Sequence, residues 1–233
     1  MSETTCTFAL DLTTLKKIKM KELITKLTNP FAGIRKDDKD GIRSICSEIA
    51  INLFNDYCIQ CHDTECYFAE IEFYYFDEEY LNDKWNEVTY PRMDYRAGSI
   101  FYHLSGMDIC FESNLEKRNG VLYGKGGGIL IRSIVDEKNN LIVGPLTCVN
   151  VMLNSCKDRE MPKLKRLSTS RNITPKPTYR FLGKHDFEKV GNGNRDGELK
   201  LAYFDETTIS PELWNKARSS YYSKRLDCPV KHE

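Results

Sequence analysis

The 233-residue sequence has no excess charge of either sign: 34 Lys and Arg balance 34 Asp and Glu. That balance excludes a uniformly basic, histone-like binder, although local patches stay open. No run approaches the roughly 20 apolar residues needed to cross a bilayer as a helix, so no membrane association is expected. The opening MSETTCTFALDLTTLKKIK lacks a basic segment followed by an apolar core, so no secretory leader is expected either. Nine cysteines form an odd set with no paired framework, which predicts reduced thiols in an intracellular protein of the cytoplasm or nucleus. Histidine is scarce, with four residues at no metal-binding spacing. No Ser-His-Asp order or nucleophile elbow is present.

What the chain does have is the composition of a folded protein, 40% hydrophobic and 29% charged. Its length suits one domain spanning 1–233, large enough to hold a core without disulfides or metal. The neutral total conceals an uneven distribution. Residues 60–116 carry 13 acidic and 3 basic side chains, a net of −10, whereas 157–180 carry 8 basic and 2 acidic, a net of +6. The basic stretch holds three prolines and several Ser and Thr, which predicts a loop. It reads either as a solvated insertion or as a strip that lies along a phosphate backbone, with Lys163, Lys165, Arg166 and Arg171 as the contacts.

Residues 41–55 place Ile42, Ile45, Cys46, Ile49 and Leu53 at helical spacing. Glu65–Phe76 is rich in aromatic and β-branched residues and predicts a strand, with HDTE as a hairpin turn and Tyr57–Cys61 as the returning strand. Residues 98–111 predict a further strand or pair of strands. GILIRSIV at 128–135 has the continuous apolar character of a buried central strand, and Gly144-Pro145 opens a helix. Helices and strands mix without βαβ alternation, which predicts one α+β domain with a curved, mainly antiparallel sheet and flanking helices.

Along the strand Glu65–Phe76, a period of two sets Glu70, Glu72 and Tyr74 on one face and Ala69, Ile71, Phe73 and Tyr75 on the other. The second set suits the core. The first is either a wet acidic face or a site where a carboxylate beside aromatic rings serves as general base. Arg132 interrupts an apolar run and must be paired if buried, in a structural ion pair or at a site. CIQCHDTEC matches a haem-attachment pattern at Cys58-x-x-Cys61-His62 and, with Cys66, offers four soft ligands. On a strand, however, Cys58 and Cys61 face opposite sides and cannot share zinc. YGKGGGILIR lacks the Lys-Ser/Thr of a phosphate loop and leads into a strand, where glycines mark a close approach by another backbone or a ligand.

In order and spacing these segments resemble the alkyladenine (methylpurine) DNA glycosylase family, from about Glu70 to Leu153. EIEFY resembles that family's Glu-Thr-Glu-Ala-Tyr strand. GSIFYHLSGMDICF resembles its Gly-Thr-x-Tyr-x-Tyr…Tyr-Gly-Met strand pair, GILIRSI its Leu-Leu-Arg-Ala strand, and IVGPLTCVNVML its Asn-Gly-Pro helix start. The resemblance implies a monofunctional glycosylase that hydrolyses the N-glycosidic bond of an extruded base in double-stranded DNA. It would work as a monomer, without metal or organic cofactor. It implies Glu72 as the residue that activates water, Tyr74 as the ring that stacks on the base, and His103, Arg132 and Glu70 as pocket residues. The chain departs from the family at three places. Its wedge tyrosine falls near Ser105, its pocket histidine has no counterpart in DEEYLNDKWNEVTYP, and its pocket asparagine falls near Glu112. The implied chemistry requires Glu72 at the bottom of an aromatic-walled cavity that admits a nucleobase. A binding module without hydrolysis, or a protein-interaction domain docking through the acidic 60–116 region, are the alternatives.

Overall fold

Asp38 starts the long helix Lys39–Asp56 by accepting the Gly41 amide at 2.8 Å, which satisfies one of the donors that a helix start leaves over. Ile42, Cys46, Ile49 and Leu53 then recur on one buried face, at the spacing the sequence predicts. The computed structural model describes residues 21–35, 38–78, 81–82, 93–103, 106–119, 121–156, 160–178 and 201–208. Within them, residues 21–28 are also helical. A short helix, Pro145–Ser155, follows Gly144, whose φ of 100° suits glycine, and has proline in its first turn. No helix among the described residues is long and apolar enough to cross a membrane.

The strands follow in chain order: β1 (Tyr57–Cys61), β2 (Thr64–Asp77), β3 (Leu81–Asn82), β4 (Met93–Tyr95), β5 (Ile100–His103), β6 (Gly106–Cys110) and β7 (Ser113–Arg118). After them come β8 (Val121–Tyr123), β9 (Lys125–Val135), β10 (Leu141–Val143), β11 (Lys163–Arg166), β12 (Lys176–Thr178) and β13 (Ala202–Phe204). The main sheet runs β11-β1-β2-β9-β6-β5, with β3 and β13 also on β2 and β10 on β9; β4, β7 and β8 form a separate small sheet. Every pairing in the main sheet is antiparallel. The chain is thus a single α+β domain on one curled antiparallel sheet with flanking helices.

β2 and β9 are the spine, paired from Tyr67–Val135 to Asp77–Lys125. The glycine run has a simple cause here, because a Cβ on Gly127 would stand 2.0 Å from the Tyr74 carbonyl oxygen. The close approach expected at this motif is therefore that of the β2 backbone. Ile71, Phe73 and Tyr75 of β2, Met107 and Ile109 of β6, and Ile129 and Ile131 of β9 pack with all three helical segments into one apolar core.

Three expectations need correction. Ala69 does not join Ile71 in that core: the register slips on either side of Glu70, so Phe68 takes the core position and Ala69 packs with Val135 instead. The basic 157–180 stretch is not loop throughout, since β1 has an open edge that recruits Lys163–Arg166 as an added strand, and β12 pairs β13. Nor are all nine cysteines reduced. Cys61, at the end of β1, is bonded to Cys156 just past the short helix, with a Cα–Cα separation of 5.4 Å. A sequence separation of 95 residues gave no hint that these two ends meet. The bond also removes Cys61 from any haem or zinc role. Tyr57 and Ile59 join the core while Cys58 falls on the alternate face, as strand alternation requires.

Candidate functional site

Opposite the apolar core, the second face of the sheet carries a buried polar cluster. Directly paired residues on adjacent strands share a face, and here the register aligns Phe101, Asp108, Leu130 and Glu72 across β5, β6, β9 and β2. Asp108 and Glu72 are therefore two strands apart, about 10 Å between backbones at the usual strand spacing. Tyr74 lies opposite Gly128, which leaves room for its ring. That ring packs with Phe76, Leu115 and Leu130, with Phe101 at the margin.

Glu72 is completely buried and Arg132 nearly so. Nη1 of Arg132 donates to Oε2 of Glu72 at 2.8 Å, and the Tyr74 hydroxyl donates to the same oxygen. Arg132 Nε also lies 3.8 Å from Glu70 Oε1, and the Ser133 hydroxyl donates to Glu70 Oε2 at 3.1 Å. The register irregularity noted above sits at Glu70, facing the Arg132–Ser133 segment, and it brings two carboxylates to one guanidinium. Burial works against the Arg132 charge, but Glu72, then Glu70, more than offset it and hold the guanidinium firmly ionised. Of the two alternatives for Arg132, the ion pair is realised, and it is made with the proposed catalytic carboxylate.

A third acid completes the cluster. Asp108 is 1% exposed, and neither of its carboxyl oxygens receives a hydrogen bond among the described residues. His103 Nε2 stands 3.0 Å from Asp108 Oδ2, close enough for an ion pair but without hydrogen-bond alignment. Burial, and then the Glu72 charge, raise Asp108 well above the usual carboxyl range, and burial lowers His103. Both shifts favour a neutral acid beside a neutral imidazole. His103 keeps 17% of its side chain exposed and stacks on Phe101 at 5.8 Å; Phe101 in turn meets Tyr95 at 4.7 Å. Cys110, opposite Gly128 on the same strand as Asp108, has its thiol pushed up to about 11 by burial and is no nucleophile.

The structure thus brings together Glu70, Glu72, Tyr74, His103 and Arg132. It does not place Glu72 at an open floor, because Tyr74 and Arg132 occupy one carboxylate oxygen and no part of Glu72 meets solvent. The four basic candidates lie elsewhere, on or beside the β11 edge. Lys165 is paired with Glu65 at 2.7 Å, Arg166 approaches Asp56 at 3.9 Å, and Arg171 approaches Asp205 at 3.5 Å while covering the Tyr67 ring at 5.1 Å. Lys163 is exposed. Glu112 accepts the Ala97 amide at 2.8 Å and sends its own amide to Leu27, so it ties a loop to the first helical turns. Ser105 and residues 83–91 lie outside the described residues.

Sequence reasoning missed Asp108, Phe101 and Ser133. The signal for Asp108 was present: a lone acid in GMDIC, alternating with Met107 and Ile109 that enter the core. The likeness to methylpurine glycosylases rests on the residues themselves, since no family model, curated protein or solved structure matches the chain.

Proposed function

We propose that this chain is a divergent, monofunctional DNA glycosylase that hydrolyses the N-glycosidic bond of an extruded damaged or modified base. The observation that carries the reading is the convergence of Glu72, Tyr74 and Arg132 with His103 and Asp108 on one sheet face, drawn from four strands. Such a face offers what the reaction needs: a carboxylate to take a proton from water, a cation to hold that carboxylate, and rings to flank a base. Glu72 takes the water proton as the water oxygen attacks the sugar carbon. Arg132 orients the carboxylate. Because the Tyr74 hydroxyl rests on Glu72, it must release that oxygen when water and base enter. Lys163 and its neighbours on the β11 edge are proposed phosphate contacts.

The test is release of free base from methylated duplex DNA. Glu72→Gln keeps the side-chain volume and is expected to lower release by about 10²–10⁴-fold, the usual contribution of a general base. Activity that survives this substitution in a folded protein overturns the assignment.

The closure of Glu72 favours a second reading, a module on the same fold that binds nucleic acid without cleaving it. Salt-dependent binding to duplex DNA with no base released over long incubation selects that reading. Loss of both binding and release points to a protein-interaction domain.

A further inference from the structure

The proposed role of Glu72 leaves its buried neighbour Asp108 unexplained. A carboxyl group with 1% exposure and no hydrogen bond among the described residues is costly to keep in a fold. Ile109 and Met107, its neighbours along β6, show that the strand readily takes apolar residues. Among the described residues, the polar group that meets it is the His103 ring, 3.0 Å away, and His103 is the member of the cluster that reaches the surface. Asp108 is also aligned with Glu72 through Leu130 on the same face.

We propose that His103 is the general acid that protonates the departing base and that Asp108, acting through His103, is the positioning residue that supplies the proton; this rests on the hydrolytic reading of Glu72. Water attacks the sugar C1′ and gives its proton to Glu72. The C1′–N bond breaks and its electron pair passes to the base. His103 delivers the proton on Nδ1 to a base nitrogen while Nε2 takes the Asp108 proton. The products are a free neutral base and an abasic sugar, with Glu72 protonated and Asp108 ionised until both exchange with solvent. Among the described residues, the Glu72 charge from β2 and Cys110 from β6 act on Asp108, and Glu72 is held in turn by Tyr74 and by Arg132 of β9, which also approaches Glu70.

The experiment uses two duplexes that differ in the charge of the leaving base. One carries hypoxanthine, which must be protonated to leave as a neutral base; the other carries 7-methylguanine, already cationic in the nucleotide. His103→Gln and Asp108→Asn are expected to slow hypoxanthine release about 10²-fold or more, and 7-methylguanine release no more than a few-fold. The alkaline limb of the hypoxanthine pH profile is expected to move in Asp108→Asn and not in the 7-methylguanine profile. Equal losses on both duplexes, or unmoved profiles, overturn the proposal and leave Asp108 a structural residue. Failure of the wild-type chain to release either base overturns the hydrolytic reading instead. In that case ¹⁵N NMR of the His103 ring judges the pair by itself. Ring-nitrogen shifts that change with Asp108→Asn support proton sharing, and shifts identical in both proteins refute it.

Discussion

The two faces of β2 solve the same burial problem by opposite means. Ile71, Phe73 and Tyr75 enter an apolar core that the three helical segments complete. One residue out of phase, Glu70, Glu72 and Tyr74 are buried just as deeply, yet they surround a guanidinium and face a third acid on β6. The first face needs only shape and apolar area. The second needs each charge compensated, and removing one member leaves others stranded. Apolar residues would have built the second face with less desolvation, so its polar content costs the fold more than the first face does.

The two faces are expected to respond most strongly when each is cut at its centre. Phe73→Ala on the apolar face is expected to cost about 3–5 kcal/mol through the cavity it leaves. Arg132→Met is expected to cost a similar amount, about 3–5 kcal/mol, because it strands the Glu70 and Glu72 charges. Urea denaturation measures both. The difference appears in the double variant Arg132→Met with Glu72→Gln, which is expected to recover stability; no recovery breaks the claim that paired charge, not packing, governs this face.

A smaller effect is expected from pH. Asp108 has a raised folded-state pKa, so the native chain binds more protons than the unfolded chain between the unfolded value, about 4, and that raised value. Its contribution is fully present below the unfolded value and is lost as pH rises through the raised value, at up to about 1.4 kcal/mol per pH unit. Asp108→Asn is expected to flatten that decline relative to the wild type in denaturation series from pH 4 to 8. Parallel curves for the two proteins contradict a buried neutral acid.

The smallest effect is expected away from both faces. Lys165→Ala removes a half-exposed pair with Glu65 and is expected to change stability by no more than about 1 kcal/mol, with the change shrinking in added salt. A larger, salt-insensitive loss would show that the β11 edge is held by more than backbone pairing.

Much of this architecture was legible in the chain. The long helix, the β1–β2 hairpin, β9 and the proline-led short helix all follow from periodicity and turn residues acting within a few positions of themselves. The alternation that sets Glu72 and Tyr74 apart from Phe73 was legible for the same reason. It failed at Ala69, because the slipped register there depends on how β9 lies against β2, which no local pattern encodes. The short strands β7 and β8, and the recruitment of basic residues to the β1 edge, were equally hidden. Runs of three to six residues carry too little periodicity to declare a strand without a partner.

By itself, the order of residues determined which positions are apolar on each strand, where helices begin, and that an acid–acid–tyrosine set and a lone arginine would need company. Only the folded chain decided that the company is mutual. Hydrogen bonds and ion pairs act over about 3 Å, whereas Glu72 and Arg132 are 60 residues apart in the sequence. The same holds for Asp108 and Glu72, which one leucine of an intervening strand aligns on a shared face, and for the two sulfurs joined at Cys61 and Cys156.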